Sequence, residues 1–275
     1  MQLFVRSAFV VGCATLAFSS LAAQNQPLET KAAYQGEAHE NFLKKAKIVS
    51  AKDLGVGVTL PKKLTLEMNG VTRYAVFKSI DDSKGRMATY AKGQGEVAFQ
   101  DSWQCEIPGY VVDMIIGLGW VPATVERTVN GETGSVQLWI QSRFSEAERN
   151  KQGVNPTDTV QWRRNVLKMR LFDELIYNVD RHANNVLITE DFDLRLIDHS
   201  RAFRPYDKLK SPEVLTQFSR ELLEGIKKLE YQDLRKKIGR YLQNGQIQAL
   251  IKRRDLILAL ADKLVLERGA AAVLY

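Results

Sequence analysis

The stretch Ile176-Tyr177-Asn178-Val179-Asp180-Arg181-His182-Ala183-Asn184-Asn185-Val186-Leu187-Ile188-Thr189, with Leu196-Ile197-Asp198 shortly after it, decides how this chain is read. An apolar helix end runs into Asp-Arg-His, an Asn stands five residues after the Asp, and a short strand follows. A second short strand then ends in another Asp. Phosphoryl transfer from ATP needs these groups in this order. One carboxylate orients the acceptor hydroxyl, and an amide and a second carboxylate hold the metal on the phosphates. The strand-turn-strand between them returns Asn185 and Asp198 to the same end of a hairpin. Asp180 is therefore the expected catalytic aspartate, and Asn185 and Asp198 are the expected ligands of Mg2+ or Mn2+.

Working outward, the run Tyr74-Ala75-Val76-Phe77-Lys78 ends a strand in a lysine. A cation on a rigid strand can be aimed at the α/β-phosphates of ATP, provided a carboxylate holds it. Glu106, just before a short helix, is the candidate partner. The plainer readings are a solvated strand-end lysine and an acid favoured by a helix dipole. Gly55-Val56-Gly57 follows a strand, so its amides could cover phosphates, but two spaced glycines also suit an ordinary turn. No Gly-Lys-Ser/Thr sequence is present, which argues against a P-loop enzyme. Arg181 and His182 are read as residues that structure the loop around Asp180. With few histidines and cysteines, a transition-metal centre at His182 or His199 is the lesser reading.

The N-terminus bears on the setting. Arg6 precedes an apolar run from Ala8 to Phe18, and Ser19-Ser20-Leu21-Ala22-Ala23 follows. This is the pattern of a secretory signal, residues 1–23. The run is shorter than the ~20 apolar residues a membrane helix needs. The expected product is exported, periplasmic or secreted, with no membrane span after cleavage. Cleavage would remove Cys13 and leave Cys105 as the sole cysteine, excluding an intrachain disulfide and a zinc-type cysteine cluster. It would also remove Arg6, lowering the formal charge by one from +7. That modest excess suits a phosphate ligand or an acidic partner, and equally a somewhat basic surface. No nucleic acid is expected as a partner.

Residues 24–47 are polar, with an amphipathic helix expected near 37–47. Residues 48–144 are strand-rich. Leu64 to Met68 and Thr72 to Phe77 are joined by Asn69-Gly70, a strong hairpin signal. A short buried helix is expected over 108–118, ending at Gly119, and a strand over 135–141. Residues 145–157 are charged, contain Gly153 and Pro156, and are read as the connection between two lobes. Residues 158–275 are helical. Thr157 or Asp158 caps a helix to about Tyr177 with Trp162, Val166, Met169, Phe172 and Ile176 on one stripe. Further helices are expected over 212–229, 231–243 and 246–268.

Asp180-Arg181-His182 with Asn185, and Ile197-Asp198-His199-Ser200-Arg201-Ala202-Phe203, resemble the atypical kinases grouped around phosphatidylinositol kinases, HipA-type kinases and the secretory-pathway Golgi casein-kinase and four-jointed group. Glu106, the helix carrying Asp113, and Gly119-Trp120-Val121-Pro122-Ala123-Thr124-Val125 extend the resemblance to the last group, over roughly 48–205. It implies an α+β, two-lobed kinase-like fold, with a β-rich N-lobe and a mostly helical C-lobe. It also implies the roles above for Asp180, Asn185 and Asp198, with Lys78 and Glu106 as the phosphate-side pair. Disulfides frequent in animal members cannot form here, and Asp198-His199-Ser200 replaces the Asp-Phe-Gly of ordinary protein kinases. The expected activity is phosphate transfer from ATP to a hydroxyl of a protein, glycan or small molecule. The alternative is a catalytically inactive kinase-like binding or scaffold module.

Overall fold

The computed structural model describes residues 34–55, 60–84, 88–89, 95–96 and 99–275. The expected signal segment and Gly57 lie outside the described residues.

Helix α1 (Glu37–Lys45) leads into β1 (Lys47–Asp53), β2 (Lys62–Met68) and β3 (Val71–Lys78). Asn69 and Gly70 both take left-handed backbone, with φ 52° and 75°, so a two-residue turn closes the β2–β3 hairpin in the register Met68 opposite Val71. Four short strands follow: β4 (Asp81–Lys84), β5 (Ala88–Thr89), β6 (Gly95–Glu96) and β7 (Phe99–Ser102). Then come α2 (Glu106–Ile116), β8 (Thr124–Val129) and β9 (Glu132–Leu138). The main sheet is antiparallel in the order β1-β2-β3-β9-β8. One face of it is apolar: Leu64 and Leu66 of β2, Ala75 and Phe77 of β3, and Val136 and Leu138 of β9 are buried. Helices α1 and α2 pack on this sheet. Gly134 is required where β9 meets the end of β3, because a Cβ there would stand 2.1 Å from the Lys78 carbonyl oxygen.

Helix α2 begins two residues earlier than expected and ends at Gly117, not Gly119. A 3-10 turn (Trp103–Cys105), capped by the Ser102 hydroxyl, runs directly into it, and Gly117 takes the left-handed C-terminal position at φ 72°. Gly119 instead belongs to a loop tied back to the helix. The Asp113 carboxylate accepts from the N–H groups of Gly119, Trp120 and Val121 at 2.9–3.1 Å, and from Gln35 Nε2 at 2.7 Å.

The second half starts with β10 (Phe144–Ser145) and α3 (Glu146–Gln152), so the 145–157 connection contains a helix. Ser145 and Glu148 form a capping box, which the spacing Ser-x-x-Glu encodes locally. Helix α4 (Thr159–Leu175) follows, capped by Asp158. Then come β11 (Val186–Ile188), β12 (Leu194–Leu196), α5 (Arg220–Lys227), α6 (Tyr231–Ile238), α7 (Asn244–Arg268) and α8 (Ala270–Val273). β10, β11 and β12 make a separate three-stranded antiparallel sheet.

Two helical expectations are corrected. The buried side of α4 is Asn165, Leu167, Leu171, Phe172 and Leu175, while Trp162, Val166 and Met169 are half-buried. Neighbours on two sides set this: α7 packs on the helix, and Phe192 from the β11–β12 turn meets Trp162 edge-on. The helix expected from 212 is only a 3-10 turn (Pro212–Val214). Ser211 offers its backbone N–H to Glu174 and makes no side-chain cap, and α5 starts later behind Ser219, whose hydroxyl accepts from Leu222 N–H.

Helix α2 joins the two halves, packing on β8 and also on α5 and α6. Gly225 of α5 allows that approach, since a Cβ there would lie 2.0 Å from the Ile116 carbonyl oxygen. One apolar core therefore continues from Leu64 and Phe77 through Val112 and Ile116 to Phe172, Phe203 and Leu250. Among the described residues, no helix is long and apolar enough to cross a membrane.

Candidate active site

Three elements far apart in sequence meet at one amine. Lys78 at the end of β3 places Nζ 2.6 Å from Glu106 Oε1, at the start of α2, and 2.8 Å from Asp198 Oδ1, just past β12. The Lys78 side chain is 13% exposed and that of Glu106 is 2% exposed. Burial disfavours both charges, but their mutual attraction outweighs it. Glu106 is held well below the usual carboxylate range by Lys78 and by His199. The Lys78 amine is raised above its ordinary value by Glu106 and Asp198. The second Glu106 oxygen accepts the His199 backbone N–H at 3.0 Å, so the same carboxylate anchors the chain directly after Asp198. Asp198 has left-handed backbone at φ 60°, a conformation short polar side chains tolerate, and Ser200 Oγ donates to its Oδ1 at 3.0 Å.

The loop carrying Asp180 is built around Arg181. Its guanidinium binds both oxygens of Asp173 at 2.9–3.2 Å, the Asn185 carbonyl at 3.2 Å and the Ile197 carbonyl at 2.7 Å. One side chain thus ties the end of α4 to both strands of the hairpin. Asn178 adds a second brace, giving Nδ2 to Asp173 and accepting Asp180 N–H. The backbone between Asn185 and Ile197 closes at 3.1 Å, which brings Asn185 and Asp198 to the same end of the β11–β12 hairpin. The Asp180 carboxylate is partly exposed. His182 Nε2 lies 2.6 Å from its Oδ1, and Arg201 from the segment after β12 lies 3.5 Å from its Oδ2.

Lys78, Glu106 and Asp198 are therefore in direct contact, and Asp180 and Asn185 share one loop in which Asn185 Nδ2 donates to the Asp180 carbonyl at 3.3 Å. Arg181 braces the loop. His182, 72% exposed, contacts the Asp180 carboxylate itself. Gly55 takes left-handed backbone, φ 66°, at the start of the β1–β2 connection, and Gly57 lies outside the described residues. Sequence reasoning missed Asp173, Ser200 and Arg201. Arg201 carries no local signal. Asp173, eight residues before Arg181 on an apolar helix end, could have been suspected as a buried acid in need of a cation.

The donor set suits a hard divalent cation. Asn185 spends its amide nitrogen on the Asp180 carbonyl, leaving its amide oxygen as the group for a ligand, and Asp198 adds carboxylate oxygen. Among the described residues, no group of three or more His, Cys, Asp or Glu forms a self-sufficient metal cage. Mg2+ is held in that way in many phosphate sites, by one or two protein oxygens with the remainder from phosphate and water.

No protein-family model matches this sequence, and no curated protein matches it. Among solved structures, the crystal structure of the Golgi casein kinase is similar to this chain at 15% sequence identity and a TM-score of 0.60, over 88% of this chain and 80% of that one. At that identity the likeness is one of fold. The chain shares the fold of that structure, with a β-rich N-terminal half and a helical C-terminal half.

Proposed function

We propose that this chain is an exported kinase that transfers the γ-phosphoryl group of ATP to a hydroxyl acceptor. The observation that carries the reading is the Lys78 amine shared by Glu106 and Asp198, beside a braced loop presenting Asp180. Lys78 would hold the α/β-phosphates, with Glu106 keeping the amine in place. Asn185 and Asp198 would hold Mg2+ or Mn2+, which supplies charge neutralisation on the phosphates when bound. Asp180 would take the proton of the acceptor hydroxyl as its oxygen bonds to the γ-phosphorus and the bond from phosphorus to the ADP oxygen breaks. Export rests on the signal-like N-terminus, and the acceptor is a hydroxyl of a protein, glycan or small molecule.

Direct binding of ATP to the purified mature chain with and without Mg2+ or Mn2+, followed by a labelled-phosphate transfer screen, tests the reading. Metal-dependent binding and metal-dependent transfer are expected. Binding unchanged by EDTA and by Asp198→Ala would defeat the metal assignment. A second reading, an inactive kinase-like module, draws on the placement of His182 and Arg201 against both Asp180 oxygens. It wins if the chain binds nucleotide yet transfers phosphate no faster than its Asp180→Asn variant.

A further inference from the structure

The inference here rests on the nucleotide-binding reading above and concerns the other end of the same sheet face. Side chains alternate along a strand, so Lys78, Val76 and Tyr74 share one face of β3. The register carries that face across the sheet. Lys63 and Thr65 of β2 stand opposite Val76 and Tyr74, and Ser135 and Gln137 of β9 stand opposite Lys78 and Val76. Trp139, two residues past Gln137, donates its backbone N–H to the Tyr74 carbonyl at 2.9 Å and continues the row. The opposite face is the apolar core; this one is covered at Ser135 and Gln137 of β9 and opens along β2 and β3 toward Tyr74.

The two ends of the face are chemically unlike. At one end stand Lys78 and, next to it through the pairing of Lys62 with Phe77, the β1–β2 connection that begins at Leu54 and Gly55. At the other end, about 13 Å away at ~3.3 Å per residue, stand Tyr74 and Trp139, where β9 leaves the sheet toward the helical lobe. There the Lys63 amine lies 4.5 Å from the Tyr74 ring centroid and 4.1 Å from that of Trp139. Tyr74 is 46% exposed despite its size. Aromatic faces at such a spot are stacking surfaces for a base, and an ammonium resting on them occupies the same faces.

We propose that Tyr74 and Trp139 form the stacking wall for the nucleobase and that Lys63 is a resident competitor which the base displaces. Lys63 then sets nucleotide affinity by weakening it. The phosphate end, held by Lys78, is indifferent to this exchange, so a ligand with phosphates and no base should not feel it.

The test compares equilibrium binding of Mg2+-ATP and Mg2+-tripolyphosphate to the full mature chain and to Lys63→Ala and Trp139→Leu. The readout is the ratio of the two affinities, which cancels the general loss of one positive charge. Lys63→Ala should raise the ATP preference about five-fold, the scale of a lost cation–π competitor. Trp139→Leu should lower it about ten-fold, the scale of one base–aromatic stack. Lys63→Ala shortens a half-buried side chain outside the apolar core, so it keeps the test alive if the tryptophan variant fails to fold. A ratio unchanged or lowered by Lys63→Ala would overturn the proposal while leaving the kinase reading standing. Wild-type chain that binds neither ligand would overturn the nucleotide reading itself, and the proposal with it.

Discussion

The two carboxylate clusters of the cleft are built on opposite terms. Around Lys78 the amine and Glu106 are buried and hold one another, Glu106 at 2% exposure, with Asp198 at 33% as the outer member of the cluster. Around Asp180 the carboxylate is 26% exposed, and of its two contacts His182 is 72% exposed and Arg201 22%. A buried ion pair is strongly interdependent, because removing one partner leaves an uncompensated charge. An exposed carboxylate is energetically cheap to replace, since water takes over from its partners. The buried Lys78–Glu106 pair is therefore part of the fold, and Asp180 stands in the less buried surroundings of its own loop. Substitutions at the first should cost stability as well as activity, and at the second activity alone.

The largest effect is expected at Asp180. Asp180→Asn should reduce phosphate transfer by about 10^3-fold, the scale of a lost general base, while ATP affinity stays within a few-fold and thermal stability is unchanged. A parallel loss of nucleotide affinity, measured by calorimetry, would break the division between the two clusters. Next comes Glu106→Gln, which should lower stability by about 3 kcal/mol at neutral pH in denaturant melts. Its pH dependence sharpens the comparison. Glu106 has a depressed folded pKa, so its contribution is full above the ordinary value of 4.5 and is lost as pH falls through the folded value. The gap between wild type and Glu106→Gln should therefore shrink steadily below pH 4.5. Lys78, raised when folded, contributes fully below its ordinary 10.5 and loses that contribution only as pH rises beyond it. A flat plateau between these limits is the expected profile.

Asp173→Asn tests the brace beneath the Asp180 loop. It removes the bidentate partner of Arg181, and should cost about 2 kcal/mol of stability together with a drop in kcat that exceeds the change in KM. A KM effect alone would mean that the brace serves nucleotide binding and not the aim of Asp180. The smallest effect is expected from His182→Ala. Its exposed ring contributes no packing, so stability should not move and the transfer rate should change by only a few-fold. A larger rate loss with a shifted acid limb in the rate profile would make His182 a working partner of Asp180.

How far the sequence carried differs from one element to the next. The β2–β3 hairpin was legible because Asn69-Gly70 encodes its own turn, and the capped start of α4 because Asp158 sits directly before the periodic segment. The placement of Asp180, Asn185 and Asp198 near one another was legible through spacing. Five residues separate Asp180 from Asn185 inside one loop, and Asp198 closes a hairpin, so local chain geometry leaves little freedom. The errors came where partners decide. Ser211-Pro212 looks like a helix start in isolation, but Glu174 takes the Ser211 N–H and holds the segment to a single 3-10 turn. The stripe of α4 was misjudged because the helix is covered from two sides, and a single periodic face does not describe such burial.

The sequence by itself determined the β11–β12 hairpin, the order of Asp, Asn and Asp around it, and a strand ending in lysine, since each depends on contacts within a few residues. Only the tertiary structure decided that Lys78 meets both Glu106 and Asp198, that Arg181 is anchored by Asp173, that Arg201 lies against Asp180, and that Lys63 rests on Tyr74 and Trp139. These contacts join residues up to 120 positions apart. They are set by the strand register, by the close approach that Gly134 permits and by the packing of α2 on both lobes, none of which has a local sequence signature.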